Sequence, residues 1–181
     1  MCKRCSWVNL KNEKYIKYHD EEWGRLLTED DRLYELLILE SFQAGLSWEC
    51  ILNKREHFRE AFDNFDIDKV STYGEAKIAE LMENPLIIRN RLKIKAAIKN
   101  SRIFKEIVKE CGSFYGYLRS FAPEIIYEDF TERTTSPLSD AISADLKKRG
   151  MSFVGSTIIY SYLQSMGIIN GHSEDCMCYR R

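Results

Sequence analysis

Apolar side chains recur three and four residues apart along most of this chain, a period that favours helices over sheet. From Asp30 to Gly45 the stripe Leu33, Leu36, Leu37 and Ala44 predicts a helix, with Thr28 or Asp30 as its N-cap. Glu75 to Glu83 is a short amphipathic piece around Ile78, Ala79 and Met82. After a break at Asn84-Pro85, a longer helix is expected from about Asn90 to Glu110, on Ile94, Ala97, Ile98, Ser101, Phe104, Ile107 and Val108. Cys111-Gly112 ends it. Ser136-Pro137 opens a helix over Leu138 to Arg149 that Gly150 closes, and Gly155 to Met166 is nearly all apolar or small, as a buried central helix would be. Few segments alternate apolar and polar residues, so the expected fold class is all-α. One domain spans residues 1–181, and the polar run Tyr127 to Ser136 is its expected linker.

Composition narrows the function classes. At 181 residues, with 44% hydrophobic and 30% charged, the chain can bury a core without disulfides and is not a disordered polymer. No apolar run reaches the ~18 residues of a membrane span, and MCKRCSWVNLKNEKY has no apolar segment behind its basic residues. The expected location is cytoplasmic and the expected state a monomer. A net charge of −1 argues against a generally cationic nucleic-acid protein but permits a local basic patch.

In such a compartment the six cysteines are reduced thiols or metal ligands. They crowd the chain ends: Cys2 and Cys5 at one, Cys176 and Cys178 at the other, with His19 and His172 nearby. His172-x3-Cys176 has the spacing of a structural zinc half-site, and Cys5 with His19 are candidate partners. A Cys2His2 set of that kind is closed, with no position for water, and would clamp the termini together. Two alternatives stand beside it: idle thiols in a frayed tail, or a ligand set of Cys2, Cys5, Cys176 and Cys178.

The helices flanking Asn84 to Arg91 form a helix-hairpin-helix candidate over about residues 75–110, a motif in which backbone N–H groups meet a DNA phosphate. Between Glu83 and Glu106 lie Arg89, Arg91, Lys93, Lys95, Lys99, Arg102 and Lys105 with no acidic residue among them. Lys147-Lys148-Arg149 at a later helix end extends the footprint. A solvated helix face is the plainer account of such a run.

Glu40 falls three residues after Leu37 and four after Leu36, on the buried side of its own helix. A carboxylate there is paired, hydrogen-bonded, or open to a pocket. Tyr15, Tyr18 and Trp23 share a helical face near Trp7, and Trp48 follows Glu40 by eight residues. An acid among such rings suits a flat cationic heterocycle, although buried structural acids and aromatic cores are also common.

Taken in order, Cys5-Ser6-Trp7-Val8, Tyr18-His19-Asp20, Glu22-Trp23-Gly24, Leu39-Glu40 to Trp48, Ile87-Ile88-Arg89-Asn90-Arg91, Leu146-Lys147-Lys148-Arg149-Gly150, Phe153-Val154-Gly155 and His172-x3-Cys176 resemble the 3-methyladenine DNA glycosylase I family. These are zinc-containing helix-hairpin-helix glycosylases, and the resemblance covers nearly the whole chain. It implies two helical lobes with the termini joined by one structural Zn2+, held by Cys5, His19, His172 and Cys176. It implies that Glu40 hydrogen-bonds the methylated adenine, that Tyr18 and Trp48 hold the base, and that Trp7 and Trp23 line the pocket. Arg89, Arg91, Lys93, Lys95 and Lys147 become the expected contacts to double-stranded DNA carrying alkylated bases.

The activity so implied is monofunctional hydrolysis of the bond between damaged base and deoxyribose. No Asp occurs between Asp68 and Asp129 to assist it, in keeping with an intrinsically labile substrate. Two departures from the family pattern carry expectations. The hairpin lacks glycine from Asn84 to Lys93, so Leu86 and Leu92 set it back from the phosphate; Phe42, beside Ser41, reshapes the pocket wall. The alternatives are a non-catalytic zinc-stapled module that binds damaged DNA, and a zinc hydrolase with an open metal position.

Overall fold

A computed structural model describes residues 3–128 and 133–179. Ten α-helices fill them: α1 (Glu13–Glu21), α2 (Asp30–Gln43), α3 (Trp48–Asn53), α4 (Arg55–Ala61), α5 (Ile67–Ser71), α6 (Glu75–Glu83), α7 (Arg91–Cys111), α8 (Phe114–Phe121), α9 (Pro137–Lys148) and α10 (Ser156–Ser165). The expected all-α class holds apart from a two-residue parallel ladder, β1 (Ile126–Tyr127) with β2 (Ile169–Asn170). None of these helices is long and apolar enough to cross a membrane.

The helix ends follow local chemistry. Asn90 caps α7 by accepting from the N–H groups of Leu92 and Lys93, and Gly112 closes it at φ +81°. Ser136 and Ser139 form a reciprocal capping box that starts α9 with Pro137 at its first position. One expected cap fails: the N-cap of α2 is Glu29 without a side-chain bond, not Thr28 or Asp30. Asp30 instead accepts from the backbone N–H of Phe114 at 2.8 Å, so a tertiary contact claims the carboxylate. The expected linker is in part β1, and its residues 129–132 lie outside the described residues.

Helix α2 is central. Every residue from Leu33 to Phe42 is buried, because α7, α8 and α10 pack around it. Two acids therefore lie inside, with different fates. Glu35 is neutralised by Arg55 at 2.7 Å and Arg59 at 2.8 Å; Glu40 has no cation beside it among the described residues. A second, smaller apolar cluster joins the two chain ends: Cys5, Val8, Tyr18, Trp23, Leu52, Cys176 and Cys178, with Trp48 touching both clusters. The Met177 N–H donates to the Lys3 carbonyl at 2.9 Å, and Lys3 pairs with Asp175. Gly167, at φ +87°, lets the end of α10 pass the Arg25 backbone; a Cβ there would lie 2.4 Å from its carbonyl carbon.

Candidate functional site

Six segments converge on one cleft of about 200 Å³. Trp7 comes from the N-terminal segment, Tyr15 and Tyr18 from α1, Trp23 from the turn after it, and Glu40 and Gln43 from α2. Trp48 opens α3, and Ser161, Gln164 and Ser165 come from α10. Trp23 is not on the helical face of Tyr15 and Tyr18 as expected. Helix α1 ends at Glu21, and Trp23 folds back by donating its N–H to the Tyr18 carbonyl at 2.9 Å. The rings form a continuous wall. Trp7 meets Trp23 edge-on at 4.7 Å and Tyr15 at 5.5 Å, while Tyr18 and Trp48 sit 5.3 Å apart.

At its base sits Glu40, 1% exposed. Its Oε1 accepts from the Ser165 hydroxyl at 2.8 Å, and that hydroxyl accepts from Tyr18 at 2.8 Å. Its Oε2 is buried with no hydrogen-bond partner, as are Nε1 of Trp48 and Nε2 of Gln164. Leaving such groups unmade costs about 1–3 kcal/mol each, so three of them lining one cleft mark a place for a polar ligand. Burial pushes the Glu40 carboxyl up to about 8, with the Ser165 hydrogen bond acting against it. Near neutral pH burial thus favours the protonated acid.

Ser161, Gln164 and Ser165 were not singled out in the sequence. Their spacing of three and four residues puts three polar side chains on one face of the most apolar helix, a signal that was available. Phe42, expected at the pocket wall, is fully buried on the far side of α2, edge-on to Phe58 at 4.8 Å and Phe62 at 5.9 Å. It is core and does not line the cleft.

Behind the aromatic wall lie Cys5, His19, His172 and Cys176, all buried, with ligand atoms within 4.8 Å of one another. Sγ of Cys176 is 3.4 Å from Nε2 of His19 and 3.5 Å from Nδ1 of His172, which is 3.5 Å from Sγ of Cys5. Zinc–ligand bonds of about 2.3 Å to sulfur and 2.0 Å to nitrogen, at the tetrahedral angle, give sulfur–nitrogen edges of about 3.5 Å. The donor set fits that ion. The outer nitrogens are also held: Nδ1 of His19 lies 2.8 Å from Asp20, itself gripped by Arg4, and Nε2 of His172 lies 3.0 Å from the Trp23 carbonyl. A Cβ on Gly24 would come within 2.9 Å of Nε2 of His172, which explains a glycine there. Cys178 stands outside the four, its Sγ 3.9 Å from the Asp20 carbonyl, and Cys2 lies outside the described residues.

Helices α6 and α7 are joined by a hairpin at residues 84–90, where Lys54 donates to the Leu86 carbonyl at 2.9 Å. Leu86 and Leu92 are exposed on it. The basic residues divide. Arg89 and Lys147 are exposed, and Arg91 and Lys95 are exposed but share Glu75 of α6. Lys93 departs from its expected place on that face. It is 7% exposed, and its ammonium donates to the Phe42 carbonyl at 2.8 Å and the Ala44 carbonyl at 2.6 Å. Those are free carbonyls at the C-terminus of α2, where a cation is favourable, so Lys93 braces the interior.

A family model described as methyladenine glycosylase matches residues 7–179. The DNA-3-methyladenine glycosylase 1 of Escherichia coli (strain K12) is 40% identical over 181 residues, covering 97% of this chain and 96% of that protein. A crystal structure of a 3-methyladenine DNA glycosylase I superposes with a TM-score of 0.93 at 39% identity, covering 97% of this chain and 99% of that one. A single-residue variant of a 3-methyladenine DNA glycosylase I, in complex with 3-methyladenine, superposes with a TM-score of 0.91 at 32% identity over 96% of each chain. With an unpartnered acid in an aromatic cleft, and with likeness of this extent in sequence and fold, this chain belongs to the methyladenine glycosylase family.

Proposed function

We propose that this protein is a monofunctional base-excision repair glycosylase that hydrolyses the N-glycosidic bond of 3-methyladenine in alkylated duplex DNA. The observation that carries this is the unpartnered Oε2 of Glu40 at the base of a cleft walled by Trp7, Tyr15, Tyr18, Trp23 and Trp48. The cleft is smaller than the ~300 Å³ and upward of drug-sized sites, as suits one flat base. The base must leave the stack to reach it, at a cost of a few kcal/mol that is least at damaged positions.

Methylation at N3 makes the base cationic and so a good leaving group. As the bond breaks, positive charge moves from the base to the sugar in an oxocarbenium-like transition state. Glu40 therefore acts mainly at capture: its proton passes to solvent water as the cationic base enters, and the carboxylate accepts a hydrogen bond from the exocyclic amine and pairs with the positive charge. Tyr18 and Trp48 clamp the ring faces. Trp7 and Trp23 exclude water from the edges, which strengthens the ion pair.

Cys5, His19, His172 and Cys176 hold one structural Zn2+. With four protein ligands the ion supplies folding energy, and through His172 on Trp23 it braces the pocket wall. The hairpin between α6 and α7 works as a helix-hairpin-helix, with Arg89, Arg91, Lys95 and Lys147 meeting phosphates. The Glu75 pairs are exposed and exchange readily for phosphate.

Chromatography of products from methylated duplex DNA tests the activity. Free 3-methyladenine is expected with the intact protein, and a Glu40→Gln variant is expected to release it at least about tenfold more slowly. Tight binding to damaged DNA with no base released would instead support a non-catalytic module.

A further inference from the structure

Ser165 stands between two side chains of the site, Glu40 and Tyr18, and the sequence resemblance gives it no role. Its single hydroxyl proton goes to Oε1 of Glu40, and its lone pair receives the Tyr18 proton, each at 2.8 Å. The direction is forced once Glu40 is ionised, because a carboxylate only accepts. Both hydrogen bonds are buried, and Ser165 itself is 7% exposed at the end of α10. Among the described residues no cation helps: the ionisable groups facing Glu40 are Tyr15 and Tyr18 from α1 and Tyr162 from α10, all neutral phenols. Arg55 and Glu22 line a second cleft on the other side of Tyr18 and are paired with each other at 2.6 Å, while Glu49 acts on Tyr15 and Asp30 on Tyr162. Among the described residues, the hydroxyl of Ser165 is thus the one group that favours the carboxylate over the carboxylic acid at this position.

We propose that Ser165 is a positioning and specificity-determining residue for base capture: it pins Oε1 of Glu40, leaves Oε2 as the sole acceptor for the base, and biases the acid toward the charged form that a cationic purine requires. The inference rests on the glycosylase function proposed above. Two consequences follow from the hydrogen-bond count. Without the hydroxyl, Glu40 has two unsatisfied oxygens, so the neutral acid becomes the stable form over a wider pH range. The carboxyl then presents an O–H donor to the base as readily as an acceptor, and discrimination between cationic and neutral purines weakens.

The test is a pH profile of single-turnover release of 3-methyladenine, between about pH 6 and 9.5, for the intact protein and for Ser165→Ala, Ser165→Thr and Ser165→Cys. Ser165→Ala is expected to move the midpoint of the profile up by about one pH unit, with an about tenfold loss at pH 7 that is recovered at high pH. Ser165→Thr, which keeps the hydroxyl, stays within about twofold of the intact protein, and Ser165→Cys, a weaker donor, falls between. An unchanged midpoint in Ser165→Ala overturns the proposal. So does an equal loss at every pH that Ser165→Thr shares, since that is a packing effect. An intact protein that releases no base at any pH refutes the glycosylase function itself and is read separately.

Discussion

Glu40→Gln should make the protein more stable while making it a poorer enzyme. The Glu40 carboxyl is raised by burial from about 4.5 to about 8, so the folded chain holds a proton that the unfolded chain releases above about pH 4.5. Where the unfolded state binds fewer protons, stability falls as pH rises. The loss therefore starts near pH 4.5, continues to about pH 8, and then levels off. At 1.36 kcal/mol per pH unit this is about 3 kcal/mol at pH 7 and about 5 kcal/mol above pH 8. Glutamine has the same shape, can keep a hydrogen bond to Ser165, and carries no charge to desolvate. Urea unfolding of both proteins at pH 4, 5.5, 7 and 9 gives the difference directly. The two should agree at pH 4 and diverge by about 3 kcal/mol at pH 7, or roughly 6–12 °C in Tm for a chain of this length. A difference that does not vary with pH would show that Glu40 is not the buried, unpaired acid described above. A variant less stable than the intact protein at pH 9 would refute the account altogether. The strain is the cost of holding a charge-ready acid in a dry pocket, as expected of functional sites.

The cluster at the chain ends predicts that the purified protein contains one zinc per chain by metal analysis. Cys176→Ala is expected to lose the ion and about 10 °C or more in Tm, and cobalt substitution should give a tetrahedral spectrum without a bound water. The two classes of basic residue separate by salt. Arg89→Ala and Lys147→Ala should each lower the salt dependence of DNA binding by about one ion, whereas Lys93→Met should leave that slope unchanged and destabilise the fold. A reduced slope for Lys93→Met would place its ammonium on DNA rather than on the Phe42 and Ala44 carbonyls.

Helices whose stripes and end signals are local were legible in the residues alone: Glu75–Glu83 to the residue, and α7, α9 and α10 to within one or two. The sequence also carried Cys5, His19, His172 and Cys176 among its candidate ligand sets, and these four cluster in the fold with ligand atoms within 4.8 Å of one another. The segment from Trp48 to Ser71 was not legible. Its helices are five to seven residues long, too short to show a period, and they exist because Phe58, Phe62 and Phe65 pack under α2.

What the buried charges do depends on packing between segments far apart in the chain. Glu35 and Glu40 lie on one helix and are both buried, yet Arg55 reaches one and, among the described residues, no cation reaches the other. Lys93 is one of seven basic residues in a run without acids, and it alone turns inward, because the free carbonyls ending α2 come within its reach. Helical periodicity gives the face a residue occupies, but a charge is made structural or chemical by what the rest of the chain places opposite it, and that is a property of packing between distant segments.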